Sequence, residues 1–255
     1  MLVVMLPAFN EAEAIGPLLA GIAETFSGID GDKCVLLVDD GSADDTVERA
    51  EAAARSLGLM LVVAAHGRNL GLGAALRTGL SRGRELAGPD GVLVAMDADN
   101  THDPANIPSM LARLREGYDV VIASRYAPGG REVGLSAFRS LLSRGASLAL
   151  GLFLPVEGAR DYSCGFRAYT GSVLARAHEA YGDGVITEEG FVASAELLLK
   201  LAYLPSRVGE VPLVLRYDLK GGASKMNIWQ TIRRYMRLIA AGRRAIRAQS
   251  AAIAH

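Results

Sequence analysis

The sequence predicts an α/β fold in which a mostly parallel central sheet is flanked by helices. Three observations predict it. Short apolar runs alternate with helical patterns through the first 125 residues, which is the spacing of βαβ units. Several of the runs, Leu2 to Leu6, Val35 to Val38 and Val92 to Met96, contain no polar residue, as strands buried on both faces do. Polar residues then cluster directly after the runs, at Asn10, Asp39, Asp40, Asn69, Asp97, Asp99 and Arg125. Ligands of open α/β sheets bind beyond the carboxyl ends of the strands, so these residues are expected on one rim.

The elements follow in order. Pro7-Ala8-Phe9-Asn10-Glu11 turns the chain after the first strand, and Pro17 suits the first turn of a helix that carries Leu18, Leu19, Ile22 and Phe26 on one face. After the second strand, Ser42 with Asp45 three residues on has the form of a capping box opening a helix that Gly58 ends. Leu59 to Ala65 reads as strand three, the segment from His66 to Ala75 leads into a helix, and Val92 to Met96 is strand four. Pro104 begins the next helix, and Val120 to Ala123 is strand five. Beyond residue 130 the alternation lapses into a helix over Leu135 to Leu154, an extended piece over Asp161 to Tyr169, helices over Gly171 to Tyr181 and Glu188 to Tyr203, and a strand near Val208 to Tyr217. The glycine pairs 129–130 and 221–222 read as mobile loops.

With 255 residues, half of them apolar, the chain can bury one large core. We expect one large domain over residues 1–226 and a basic amphipathic helix over 227–255. Cys34 and Cys164 match no zinc spacing, and no basic region leads into a signal peptide, which together suggest a reducing, cytoplasmic setting. The longest uncharged run, Gly145 to Val156, would extend roughly 18 Å as a helix against a hydrocarbon core of about 30 Å. No transmembrane helix is expected. All 28 acidic residues lie at or before Asp218, whereas eight Lys or Arg follow it. Such an end suits an anionic surface, either phospholipid or nucleic acid, or a solvated basic helix.

Gly71-Leu72-Gly73-Ala74-Ala75 has the outline of a dinucleotide fingerprint, but five residues, His66 to Leu70, separate it from the preceding strand. The fingerprint requires its first glycine directly after the strand. Asp97 and Asp99 carry more weight. Spaced i and i+2, they share a side in extended chain and suit one hard divalent cation. A nucleotide diphosphate beside them would bring each pair of like charges to about 4 Å, a repulsion of some 4 kcal/mol at an effective dielectric near 20. Bound Mg2+ or Mn2+ reverses that sign and stabilises the diphosphate as a leaving group. Arginine supplies the second feature: Arg125 follows strand five, Arg139 and Ser143 share a helix face, and Arg216 ends a late strand. Guanidinium forks suit phosphate oxygens, although any one arginine taken alone is read first as paired with a surface carboxylate.

Seven motifs in order, Pro7-Ala8-Phe9-Asn10-Glu11, Val38-Asp39-Asp40-Gly41-Ser42, Asn69-Leu70-Gly71-Leu72-Gly73, Asp97-Ala98-Asp99, Ala123-Ser124-Arg125-Tyr126, Ser163-Cys164-Gly165-Phe166-Arg167 and Ser224-Lys225-Met226, resemble glycosyltransferase family 2, most closely its dolichol-phosphate mannose synthase branch. The resemblance implies a GT-A fold and an inverting transfer of a hexose from a nucleotide sugar, of the GDP-mannose or UDP-glucose type, to a polyprenyl phosphate such as a dolichyl or undecaprenyl phosphate. A saccharide acceptor, or nucleotide-sugar binding without catalysis, are the alternatives. By position it implies that Pro7, Ala8, Asn10, Glu11, Asp39, Asp40, Asn69, Gly71, Asp97 and Ala98 line the donor. Asp97 and Asp99 would hold Mg2+ or Mn2+, and Arg125, Arg139, Ser143 and Arg216 would hold the acceptor phosphate. Asp97, Asp99 and these four form the implied catalytic set. Where similar proteins place a glutamine metal ligand, this chain has Thr101, leaving His102 or water as substitutes. His66 and His102 are expected to be structural or peripheral.

An acceptor phosphate is already anionic near neutral pH, so the reaction calls for positioning and charge compensation rather than a strong base. The last helix would place Ile228, Ile232, Tyr235, Ile239 and Ile246 on one stripe opposite Arg233, Arg234, Arg237 and Arg244. That pattern suits a membrane surface or packing against protein. We expect a peripheral location on the inner membrane face and no nucleic-acid partner.

Overall fold

The structure, a computed structural model, describes residues 1–219 and 228–253, with side chains to residue 244. The Ser224-Lys225-Met226 motif, the 221–222 glycine pair and the side chains of Ile228 and Ile246 lie outside the described residues.

Seven strands form the main sheet: β1 (Leu2–Ala8), β2 (Lys33–Asp39), β3 (Leu61–Ala65), β4 (Val92–Ala95), β5 (Val120–Ser124), β7 (Arg167–Thr170) and β8 (Val208–Pro212). Their order is β3-β2-β1-β4-β7-β5-β8, and all run parallel except β7. β6 (Arg131–Val133) and β9 (Val214–Arg216) pair separately. The helices are α1 (Ile15–Ser27), α2 (Thr46–Leu57), α3 (Leu72–Ala87), α4 (Ile107–Arg115), α5 (Ala137–Phe153), α6 (Gly171–Tyr181), α7 (Val192–Ala202) and α8 (Ile228–Ile253).

The apolar runs make the predicted buried strands. In β1 and β2 every residue but Lys33 and Pro7 is buried, so both faces are covered. Pro7 is tolerated because its nitrogen lies on the β4 side, where pairing has already ended at Met5 and Ala95. Ile15, Leu18, Leu19, Ile22 and Phe26 of α1 enter the core at helical spacing. The carboxyl ends of β1 to β5 share one rim, as their shared direction requires.

Three local expectations need correction. α2 starts at Thr46, and neither Ser42 nor Asp45 caps it: Ser42 Oγ accepts from Asn10 N at 2.9 Å instead, while Asp44 takes the Thr46 N–H at 3.2 Å. The extended geometry expected through Asp99 is replaced by a turn, because β4 ends at Ala95 and Asn100 adopts φ +60°. The single late strand is two, β8 and β9, broken at Leu213.

β7 has the largest consequence for the site. It runs antiparallel between β4 and β5, so its amino end, rather than its carboxyl end, meets the rim. The segment Asp161 to Phe166 is thereby delivered beside Asp97 and Arg125. Among the described residues no helix is long and apolar enough to cross a membrane.

Candidate active site

Three strand-end loops interlock on the β1–β3 side of the rim. Asn10, at φ +52°, accepts from Ala43 N at 2.8 Å, and Glu11 N donates to Thr46 Oγ1 at 2.9 Å. Asp39 takes Ser42 N at 3.2 Å. Asp40, buried, accepts from Leu70 N at 2.9 Å, Gly71 N at 2.7 Å and the His66 ring at 2.7 Å, and His66 reaches Thr78 Oγ1 at 2.9 Å. His66 is therefore a strut between Asp40 and α3. Gly41 is required here: its φ is +73°, and an added Cβ would stand 2.3 Å from the Arg68 carbonyl carbon. Pro7, Ala8, Asn10, Glu11, Asp39, Asp40, Asn69 and Gly71 thus belong to three mutually bonded segments.

Beside them lies a cavity of about 200 Å3 lined by Asp97, Asp99, Arg125, Arg139 and Ser143, with Thr101, His102, Ser163 and Gly165 between them. The rest of its lining is mostly apolar: Leu135, Leu142 and Ala146 from the α5 region, Phe191, Leu215, and Ile232 and Tyr235 from α8, with Tyr217 and Thr231 among them. Asp99 is buried, and its Oδ1 accepts both the N–H of Thr101 at 3.2 Å and its hydroxyl at 2.7 Å. Thr101 therefore positions Asp99. The Asp97 side chain is 43% exposed. His102 is buried, stacks on Phe166 at 5.1 Å, accepts from Asp97 N at Nδ1 (3.2 Å), and has Nε2 4.0 Å from Asp97 Oδ2. Its contacts orient the Asp97 turn. A Cβ on Gly165 would come within 3.2 Å of Asp97 Oδ1, so glycine keeps this end of the cavity open.

Arg125 is held from below. Asp161, fully buried, receives its Nε and Nη2 at 2.7 Å each, Ser163 Oγ receives Nη2 at 2.6 Å, and Glu132 lies 3.2 Å from Nη1. Burial opposes both charges. The mutual hydrogen bonds and attraction outweigh it, holding the Arg125 pKa above and the Asp161 pKa below their ordinary values. Burial pushes the Cys164 thiol up to about 12 and the Tyr126 hydroxyl up to about 12, so Cys164 has no thiolate character. Arg139 donates to Tyr217 OH at 3.1 Å, and Ser143 Oγ lies 3.1 Å from Tyr126 OH and 3.3 Å from Ser163 Oγ.

Arg125, Arg139 and Ser143 are brought together, but Arg216 is not among the lining residues. Its guanidinium pairs with Asp218 at 2.8 Å, while its backbone N–H donates to Thr101 O at 3.0 Å. Sequence reasoning missed Glu132, Asp161, Tyr126, Phe191, Tyr217 and Tyr235. Asp161 lies two residues before the Ser163 to Arg167 motif, Tyr126 inside the Ala123 to Tyr126 motif, Tyr217 beside Arg216 and Tyr235 on the apolar stripe of the last helix, whereas Glu132 and Phe191 had no signal.

Residues 3–175 match the family described as Glycosyl transferase family 2. The dolichol-phosphate mannosyltransferase of Pyrococcus furiosus is 31% identical over 92% of this chain, which spans 62% of that protein's length. The undecaprenyl-phosphate mannosyltransferase of Micrococcus luteus is 31% identical over 88% of this chain and 86% of its own length. The polyprenol monophosphomannose synthase of Mycolicibacterium smegmatis is 30% identical over 88% and 80%. Glucosyl-3-phosphoglycerate synthase from Mycobacterium tuberculosis, crystallised with Mn2+, UDP and phosphoglyceric acid, superposes with a TM-score of 0.64 at 20% identity over 94% of this chain and 76% of that one. At that identity the likeness shows the fold, and the fold is the expected GT-A arrangement of a mostly parallel sheet flanked by helices. The protein is a glycosyltransferase, and the chain belongs to glycosyltransferase family 2.

Proposed function

We propose that this chain transfers a hexose, with inversion, from a nucleoside diphosphate sugar to the phosphate of a polyprenyl phosphate, mannose being the sugar its relatives' names favour. One observation carries the reading: a single cavity is lined by two carboxylates, by an arginine and serine group, and otherwise mostly by apolar side chains. That combination suits an acceptor with a charged head and a hydrocarbon tail. A saccharide acceptor would call for hydrogen-bonding side chains where Leu135, Leu142, Ala146 and Ile232 stand.

The donor would lie along the loops after β1, β2 and β3, with its diphosphate toward Asp97 and Asp99. These supply hard oxygen donors to one cavity, and among the described residues no group of three or more His, Cys, Asp or Glu could enclose a metal ion. A divalent cation held by Asp97 and Asp99 would therefore take its other ligands from water and the donor phosphates, as Mg2+ commonly does. When bound it would neutralise the diphosphate leaving group. Arg139 and Ser143 would orient the acceptor phosphate, and Arg125 would fix the floor beneath it. The apolar wall would exclude water from the attacked carbon.

The outward faces of α5 and α8 fit a membrane-surface site for the acceptor. Phe138, Leu141, Leu148 and Leu152 of α5, and Trp229 and Met236 of α8, are 62–78% exposed, beside Arg233, Arg237, Arg243 and Arg244. Apolar side chains flanked by arginines enter the lipid headgroup region favourably. The buried side of α8, Tyr235 and Ile239, packs on the protein, so the helix would serve both surfaces. The test is transfer by the purified chain with Mg2+ or Mn2+ and a panel of nucleotide sugars, offering polyprenyl phosphates against free saccharides. Glycolipid formed in preference to glycosylated saccharide supports the reading.

A further inference from the structure

Arg125 faces the cavity, yet its guanidinium already meets two carboxylates whose side chains are 0% and 4% exposed, Asp161 and Glu132. The formal charge of the three is −1, which repels an incoming phosphate. The two carboxylates are held very differently. Asp161 makes two 2.7 Å bonds to the guanidinium and also accepts the backbone N–H groups of Arg125, Ser163 and Cys164 at 3.0–3.2 Å. Glu132 makes one longer contact, 3.2 Å to Nη1, and its other oxygen accepts from Ser140 Oγ of α5. It also sits on β6, a three-residue strand in the small sheet with β9 rather than in the main sheet.

We propose that Glu132 occupies the edge of Arg125 that the acceptor phosphate takes, an internal anion that the acceptor must displace, and that this makes it a specificity-determining residue for phosphomonoester acceptors. The inference rests on the polyprenyl-phosphate reading above. Exchanging one carboxylate for another gains nothing at Nη1, and a neutral hydroxyl loses a charge-assisted bond there. A phosphomonoester brings close to two charges and three oxygens, enough to replace Glu132 at Nη1 and also to meet Ser143 and Arg139, which line the same cavity. Ser140 gives the displaced carboxylate a partner it already has.

The experiment compares wild type with Glu132→Gln, which keeps the shape and removes the charge. Binding of inorganic phosphate and of a short prenyl phosphate to the full chain is titrated with saturating nucleoside diphosphate and Mg2+, so that the donor side is filled. The proposal expects Glu132→Gln to bind both at least five-fold tighter, and a prenyl carboxylate to bind the variant but not the wild type. Phosphate binding equal to or weaker than wild type overturns it. If the amide variant does not fold, Glu132→Ala, which also removes the charge from Nη1, carries the same expectation and the same refutation. The phosphate titration needs no turnover. A wild type that fails to glycosylate prenyl phosphate therefore counts against the proposed function and leaves this comparison readable.

Discussion

Asp161 grips Arg125 with both carboxylate oxygens, at 2.7 Å to Nε and 2.7 Å to Nη2, across 36 residues of sequence and with neither side chain more than 9% exposed. The pair ties the segment before β7 to the end of β5. Removing Asp161 takes both 2.7 Å bonds from the buried guanidinium and leaves it only the longer Glu132 contact, so Asp161→Asn should lower stability by about 3 kcal/mol in a denaturant titration at neutral pH. The pH dependence follows from the depressed Asp161 pKa. A carboxylate with a lowered folded pKa contributes stability above its unfolded value of about 3.9, and that contribution is lost as pH falls through the folded value. Wild type should therefore lose stability more steeply than Asp161→Asn below about pH 4. Parallel acid profiles would mean that the contact contributes little.

Asp99, buried and bonded twice by Thr101, is the better-fixed carboxylate of the proposed cation pair. Asp99→Asn should lower kcat/KM by about 100-fold or more, the scale of losing one transition-state charge partner, and should raise the Mn2+ concentration giving half-maximal rate. Full turnover with unchanged metal dependence would remove Asp99 from the site.

Arg139 and Arg216 are expected to differ. Arg139 lines the cavity, whereas Arg216 is paired with Asp218 outside it. Arg139→Ala should raise the acceptor KM roughly 10- to 100-fold with little change in donor KM, in line with about 1.5–3 kcal/mol for a hydrogen bond to a charged group. Arg216→Ala should leave the acceptor KM nearly unchanged, since its guanidinium is held by Asp218 in an exposed ion pair and does not line the cavity. Kinetics with each substrate varied separately distinguish the two, and equal effects would restore Arg216 to the acceptor set.

Leu148 and Trp229 are 75% and 78% exposed and lie on the two helices proposed to meet lipid. Replacing both with Ser should weaken co-sedimentation with anionic vesicles at least about ten-fold, since burying such side chains contributes about 1.5–3 kcal/mol each, without lowering the melting temperature. Unchanged partitioning would leave both faces as ordinary surface.

Much of this arrangement is legible in the residues. The apolar runs at Leu2, Val35 and Val92 announce buried strands, and the polar residues after them mark the rim, because direction and burial of parallel strands are written locally. What is hidden depends on pairing at a distance. Arg167 to Thr170 is too short and too polar to read as a central strand, yet as β7 it stands between β4 and β5. A lone aspartate such as Asp161 has no periodicity to betray it, and its partner lies on another strand. Ser42 has the form of a helix cap but is recruited by Asn10 from the neighbouring loop, a contact that exists only once β1 and β2 are paired. Arg216 matches its motif position, and its direction is decided by Asp218 two residues away.

In the proposed reaction one cavity brings a donor diphosphate and an acceptor phosphate together. The most direct measurement offers the purified chain, with Mg2+ or Mn2+ and a nucleotide sugar, a short polyprenyl phosphate and the matching polyprenol that lacks the phosphate. Glycolipid is expected from the phosphate alone, and chelating the metal should abolish it. Equal transfer to the alcohol, or transfer to soluble saccharides with none to the lipid phosphate, would contradict it.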